Sequence, residues 1–187
     1  MKLALVVDDE PLIRRQVGEA LKNYGFDEIL EAENGQQAAD LAAARKPMLI
    51  VMDLVMPVLD GISAAEKISR TAPAPIVLLT GTVDAESIER ARLAGVMNYL
   101  VKPFRDEQLL PAIDLAIYQF MELSGLREEV ERLKEAIEAR KIIEKAKGVL
   151  MKQGISEPDA YRKMQKIAMS KRKPLKEIAE AILLMEA

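Results

Sequence analysis

The chain has 187 residues, enough for one large domain or two small ones, and half of them are hydrophobic, so a sizeable core can form. Cys and His are both absent, which excludes disulfides, thiolate and imidazole metal sites, cysteine nucleophiles, histidine bases and a phosphohistidine on this chain, and fits a reducing cytoplasm. The net charge of −3 is unevenly spread: residues 139–187 hold twelve Lys/Arg against six Asp/Glu, a balance of +6, while residues 1–138 hold 15 against 24, a balance of −9. An acidic front is thus followed by a basic tail able to approach a polyanion. No signal peptide is visible at the start, and the apolar runs fall short of the roughly 20 residues that a membrane helix needs.

In chain order, Leu3–Val7 is a short apolar run followed directly by Asp8, Asp9 and Glu10. Three successive acids at a strand end repel one another, so they are either highly solvated or neutralised by a cation. Pro11–Tyr24 reads as an amphipathic helix with Leu12, Ile13, Val17, Ala20 and Leu21 on its inner face and Gly25 at its end. Residues 29–32 form a weak strand. Gly35–Arg45 is an Ala-rich helix stopped by Pro47. Residues 48–61 (MLIVMDLVMPVLDG) then run from a fully apolar strand into Asp53 and a Pro- and Gly-containing loop, as suits a strand buried on both faces of a parallel sheet. A helix follows at 62–69, a strand at 75–79 ending in Thr80 and Gly81, a helix at 85–94 closed by Gly95, and a fifth strand at 97–101 ending in Lys102 and Pro103. A long helical pattern begins near Arg105.

Strands alternating with helices over about 120 residues predict a five-stranded, doubly wound parallel sheet with right-handed crossovers. Asp53 alone could simply mark a strand end. Asp8, Asp9, Asp53, Thr80 and Lys102, however, all lie at carboxyl ends of strands, where this topology forms a ligand crevice. Asp9 and Asp53 offer hard oxygen ligands suited to Mg²⁺, Lys102 a fixed cation and Thr80 a hydroxyl donor. Such a set can bind a phosphoryl group and stabilise its charge, with the Asp53 carboxylate as acceptor. No base for activating water is evident, which predicts a phosphoryl acceptor rather than a fast phosphatase.

The segments VVDDEP, MDLVMPVLDG, LLTG and NYLVKPF resemble the receiver domain of bacterial two-component response regulators, over about residues 1–120. The resemblance implies a flavodoxin-like fold, phosphorylation of Asp53 by a sensor histidine kinase, Asp9 as direct Mg²⁺ ligand and Asp8 acting through water. It also implies the Val55 carbonyl as a ligand, Lys102 paired with the phosphoryl group, a cis peptide before Pro103, and Thr80 with Tyr99 as switch pair. Gly81 stands where many receivers carry Ala; both are small. Read from the residues alone, Thr80 could be a strand end and Tyr99 a core residue.

From residue 105 to about 153 the only breakers are Pro111, where a local distortion is expected, Gly125 and Gly148. Leu123, Leu126, Val130, Leu133 and Ile137 alternate at spacings of three and four, a coiled-coil seam of two heptads flanked by charges. Such a seam serves either packing on the chain's own domains or pairing of two chains in the activated state. Ile142, Ile143, Ala146, Val149 and Leu150 continue the helix, which Gly154 closes. Ser156 is a good N-cap, with Asp159 completing a capping box in the shorter acid. Tyr161, Met164, Ile167 and Ala168 face inward from the next helix, a basic turn spans 171–174, and a last helix buries Ile178, Ala179, Ile182 and Leu183. The expected whole is a long helix and a small three-helix bundle.

Residues 136–184 resemble the ANTAR family of RNA-binding antiterminators, with Ala146, Ala160, Ala168, Ala179 and Tyr161 where that pattern has them; Met164 stands near where a second aromatic is usual. The division expected is a receiver at 1–120, a helical linker at 121–135 and an RNA-binding domain at 136–187. Arg140, Lys141, Lys145, Arg162, Lys163, Lys171, Arg172 and Lys173 are the candidate RNA contacts, through phosphates. The function so read is non-enzymatic. A cytoplasmic response regulator, dimeric when phosphorylated and not membrane-bound, holds RNA hairpins that overlap a terminator and so controls antitermination. The alternatives are a DNA-binding transcriptional regulator and a protein-interaction module.

Overall fold

The computed structural model describes residues 1–81 and 84–185, which form two compact units, Met1–Ser124 and Gly125–Ala187. In the first, β1 (Leu3–Val7), β2 (Glu28–Ala32), β3 (Leu49–Asp53), β4 (Ile76–Thr80) and β5 (Asn98–Val101) alternate with α1 (Pro11–Tyr24), α2 (Gly35–Arg45), α3 (Gly61–Thr71) and α4 (Ala85–Leu93). The strands are all parallel, in the order β2-β1-β3-β4-β5. β1, β3 and β4 are buried along their whole length, which is why their sequences are unbroken apolar runs rather than alternating ones. The apolar cores lie on the two faces of the sheet: Leu5, Ile50, Ile68 and Ile76 belong to one, Val6, Val17, Leu21, Val51 and Ile113 to the other.

Helix ends follow local chemistry. Pro11 opens α1, and Gly25 closes it at φ +110°. Asn34, Asp60 and Asp84 cap α2, α3 and α4 by accepting backbone N–H bonds from Gln37, Ser63 and Ser87. Leu12, placed inward by helical periodicity, is instead 79% exposed, and Arg14 is buried. The fourth strand runs one residue later than the apolar pattern indicates and takes in Thr80.

α5 (Asp106–Lys152) runs through Pro111 without interruption. Its start includes a window apolar enough, by length and composition, to cross a membrane, but Leu109, Ala112, Ile113 and Ala116 there are buried in the first unit. The stripe Leu123, Leu126, Val130, Leu133 and Ile137 is exposed.

In the second unit the end of α5 packs with α6 (Glu157–Lys171) and α7 (Leu175–Leu184) around Ala146, Leu150, Ala160, Met164, Ile178 and Ala179. Gly154 follows α5 at φ +89°. Ser156 caps α6, but Asp159 accepts from the Ser156 hydroxyl at 2.6 Å. Tyr161 is 38% exposed rather than inward: Ala160 and Met164 take the buried positions, and the neighbouring residue is turned by 100°.

One residue stands out for strain. Val58, in the loop between β3 and α3, has φ +68° and is 83% exposed. A β-branched residue in the left-handed region costs about 1–2 kcal/mol, and here no packing repays it. Val58→Gly is therefore expected to stabilise the protein by about 1 kcal/mol, since glycine occupies that region freely. Urea denaturation followed by circular dichroism checks this; a lower midpoint contradicts it.

Candidate functional site

The carboxyl ends of β1, β3 and β5 bring Asp8, Asp9, Asp53 and Lys102 together. The oxygens that Asp8, Asp9 and Asp53 can offer a metal lie within 4.8 Å of one another. Asp8 and Asp53 are buried, whereas Asp9 is exposed. The Lys102 ammonium bridges the buried pair, 2.8 Å from Asp8 Oδ2 and 2.8 Å from Asp53 Oδ1, with Glu10 Oε1 at 4.0 Å. Asp8 Oδ1 accepts from the Glu10 N–H at 2.9 Å, and Asp53 Oδ2 from the Val55 N–H at 3.1 Å. The Lys102–Pro103 peptide is cis.

Burial drives the Asp53 carboxyl above its ordinary range, and the nearby Asp8 charge adds to this; Lys102 and the Val55 N–H pull the other way without cancelling it. Burial alone would lower the Lys102 pKa, but the two carboxylates outweigh it and hold the ammonium above the usual lysine value. Lys102 thus stays charged in a crowded acidic pocket. Hard oxygens from three carboxylates, beside an exposed mouth, fit Mg²⁺ and not a softer ion.

Gly61 makes the pocket compact. A Cβ there would come within 2.3 Å of the Asp53 carbonyl oxygen, so only glycine lets α3 start directly behind the acid. Thr80 is buried at the end of β4, level with Val101 in the strand register. Tyr99 is 42% exposed, so it is not a core residue. Thr80 and Tyr99 both line a cavity of about 20 Å³ with Leu54, Leu78, Ser87 and Ile88.

Helical periodicity alone misses Arg14. Its Nη1 donates to the Asp8 carbonyl at 2.8 Å and reaches the Asp9 carbonyl at 3.4 Å, while Nε and Nη2 pair with Glu31 at 3.1 Å and Glu33 at 3.3 Å. The guanidinium therefore clamps the main chain that carries both acids. An Arg one turn after an acid pair, on a helix that must pack on a sheet, is the available signal; the partners on and after β2 are not legible locally.

In the second unit all eight predicted basic contacts are exposed. Lys141, Arg162 and Lys173 have acidic neighbours, Glu138 at 3.4 Å, Asp159 at 4.0 Å and Glu177 at 2.8 Å. Among the described residues Arg140, Lys145, Lys163, Lys171 and Arg172 have no carboxylate within the 4.0 Å reach of an ion pair. Lys147, which the basic pattern does not single out, is buried and bridges Glu144 at 3.0 Å to Glu157 at 2.8 Å, tying α5 to the first turn of α6.

Residues 4–114 match the response regulator receiver domain family, and residues 131–183 match the ANTAR domain family. The transcriptional regulatory protein PdtaR of Mycobacterium tuberculosis is 46% identical over 180 residues, covering 96% of this chain and 88% of that protein. The chemotaxis protein CheY of Bacillus subtilis is 35% identical over 111 residues, 59% of this chain and 92% of its own. The solved structure of Vibrio cholerae chemotaxis protein CheY4 matches with a TM-score of 0.57 at 30% identity, covering 61% of this chain and 97% of that one.

Two outcomes follow from the pocket geometry. Arg14→Met keeps the apolar stem but strips the Asp8 carbonyl of its donor, and is expected to cost about 1–3 kcal/mol in urea denaturation. Asp53→Asn is expected to raise the melting temperature of metal-free protein at pH 7 by about 2–4 °C, because it removes a desolvated charge. A raised carboxyl pKa gives stability that is complete below the ordinary value of 3.8 and lost as pH rises through the folded-state value. The gap between Asp53→Asn and the unaltered chain must therefore close as pH falls toward 3.8; melting curves in chelator across that range check it, and a gap that widens refutes it.

Proposed function

The chain belongs to the response regulators, with a receiver domain followed by an ANTAR domain, and we propose that it is a phosphorylation-controlled regulator that binds RNA and prevents transcription termination. The observation that carries the reading is the presence in one chain of a Lys102-bridged acid pocket and a helical unit whose exposed cations mostly lack acidic partners. We assign the receiver to residues 1–120, a linker helix to 121–135 and the RNA-binding domain to 136–187, and place the protein in the cytoplasm.

A partner sensor histidine kinase presents a phosphohistidine to the pocket. An Asp53 carboxylate oxygen attacks phosphorus; the O–P bond forms as the N–P bond to the kinase breaks. Asp9, Asp53 and the Val55 carbonyl would hold Mg²⁺ directly and Asp8 through water; when bound, the ion neutralises charge on the phosphoryl oxygens. Lys102, already 2.8 Å from Asp53, shifts its ammonium to a phosphoryl oxygen as the acid loses its own charge. The Thr80 hydroxyl turns to the same group, and Tyr99 swings from its exposed position to follow it. This shifts the population between two existing states of the outer face.

The readout is pairing of two chains through Leu123, Leu126, Val130, Leu133 and Ile137, whose exposed apolar side chains form a two-heptad seam. The paired domains present their basic faces to an RNA with hairpin loops that overlap a terminator. Few aromatics are available for stacking, so phosphate contacts dominate and binding falls steeply with salt.

Light scattering with beryllofluoride and Mg²⁺, which mimic the phosphoryl group, is expected to show the mass doubling. Leu126→Lys with Leu133→Lys abolishes the doubling, and Asp53→Asn abolishes acid-labile phosphate. A mass unchanged both with the mimic and on RNA removes pairing from the mechanism. Titration with RNA hairpins and with duplex DNA of matched length and charge, at one salt concentration, separates an antiterminator from a DNA-binding regulator; preference for the duplex overturns the RNA reading.

A further inference from the structure

Glycine inside a helix is unfavourable relative to alanine, so it is retained where the backbone or a close neighbour demands it. Gly35 and Gly61 meet that demand within the fold: an added Cβ would lie 2.5 Å and 2.3 Å from backbone oxygens of Leu59 and Asp53. Like Gly125 earlier in the same helix, Gly148, inside α5, does not. Its φ is not positive, and a Cβ there would meet nothing within 4 Å. Neither main-chain conformation nor packing within the bundle accounts for it.

The surroundings of Gly148 are specific. Lys141, Lys145 and Lys152 stand seven and three residues before it and four after it, so all four positions share one stripe of the helix. The stripe lies opposite the buried Ala146 and Leu150. All three lysines are exposed. Among the described residues, Lys145 and Lys152 have no ion-pair partner, and Lys141 has only Glu138 at 3.4 Å. The result is a line of three ammonium groups with a gap in the middle where the partly exposed Gly148 carries no side chain, the nearby Glu144 being paired to Lys147 at 3.0 Å. From Lys141 to Lys152 the line rises about 16 Å.

A second copy of this chain is a poor occupant. Close packing of two such stripes across a two-fold axis would set lysines against lysines, and the half-exposed Met151 beside them offers little apolar surface to offset the repulsion. A polyanionic strand fits both features, charge along the line and close approach at the gap. We propose that this stripe is the track on which the sugar–phosphate backbone of the bound RNA lies, with Gly148 as the point of nearest approach and Lys152 as a phosphate contact. The inference rests on the RNA-binding reading and adds to it where, and by what chemistry, the strand is held.

Gly148→Ala tests it, because the substitution should improve folding while harming binding. Gly125 serves as control: it lies in the same helix, off the seam, and a Cβ there also meets nothing. The full chain with Mg²⁺ and beryllofluoride is titrated with a fluorescent hairpin RNA selected by the unaltered protein from a library with randomised loops. Gly148→Ala and Gly125→Ala should each raise the melting temperature by about 2–4 °C. Gly148→Ala alone should weaken RNA binding, at least fivefold, with Gly148→Leu weaker still. Lys152→Gln should flatten the slope of log affinity against log salt by about 0.7, the loss of one phosphate contact to a single strand. Undiminished binding by Gly148→Ala and Gly148→Leu overturns the track while leaving RNA recognition intact. Failure of the unaltered chain to select any RNA overturns the functional reading, and the track with it.

Discussion

The interaction on which the site depends is the double bridge from Lys102 to Asp8 and Asp53, at 2.8 Å each. Three carboxylates converge here because β1 and β3 are neighbours in the sheet and end together, and two of the three acids are buried. Without a cation their repulsion and desolvation would oppose the fold. With all three ionised, one ammonium leaves the pocket at a net charge of −2, which is the deficit that a divalent cation fills. Phosphorylation removes one carboxylate charge and adds roughly two on the phosphoryl group. The pocket then becomes one charge more negative, and Lys102 loses its reason to face the Asp53 oxygen. On the proposed mechanism a single side chain thus has a different best partner in each state.

Arg14 supports the same arrangement from behind. Its guanidinium is committed to the carbonyls of Asp8 and Asp9 and to two partly exposed glutamates, so it positions the acids without entering the pocket. Lys102 can therefore change partners while the main chain that carries Asp8 and Asp9 stays fixed. A lysine suits the mobile role, with a compact charge on a flexible stem, and an arginine suits the fixed one, with several donors in a rigid fork.

The residues whose placement was legible in sequence are those set by strand order. Asp8, Asp9, Asp53, Thr80 and Lys102 each follow an apolar run, and parallel topology alone gathers their strand ends. The misplacements come from contacts that are distant in sequence. Periodicity puts Leu12 inside α1, yet Arg14 is buried there, because its partners Glu31 and Glu33 lie on and after β2. Tyr161 is displaced by one position for a simpler reason: Ala160 is small enough to let α6 approach its neighbours, and a tyrosine is not. Lys147 looks like one more surface lysine until the first turn of α6 brings Glu157 to it. The seam in α5 was legible as a stripe, but a stripe does not say whether it is covered. Its exposure is a property of the fold.

That exposure bears on how the proposed switch works. Along α5, Leu109, Ile113 and Ala116 are buried in the first unit and Ala146 and Leu150 in the second, while the seam residues between them in sequence are exposed. Five large apolar side chains left in water are a standing cost, at about 25 cal/mol for each Å² of apolar surface. Two heptads are nonetheless short for a coil, since roughly three to four are usual. In the proposed pairing, a seam with a driving force but too little length to hold by itself would sit near balance between one chain and two. Near balance, a bias of about 1–3 kcal/mol changes the population severalfold to a hundredfold. A longer seam would pair the chains regardless of Asp53, and a polar one would never pair them. On the proposed mechanism, the length of the exposed stripe is therefore what would let a local event at the acid pocket decide whether two RNA-binding domains act together.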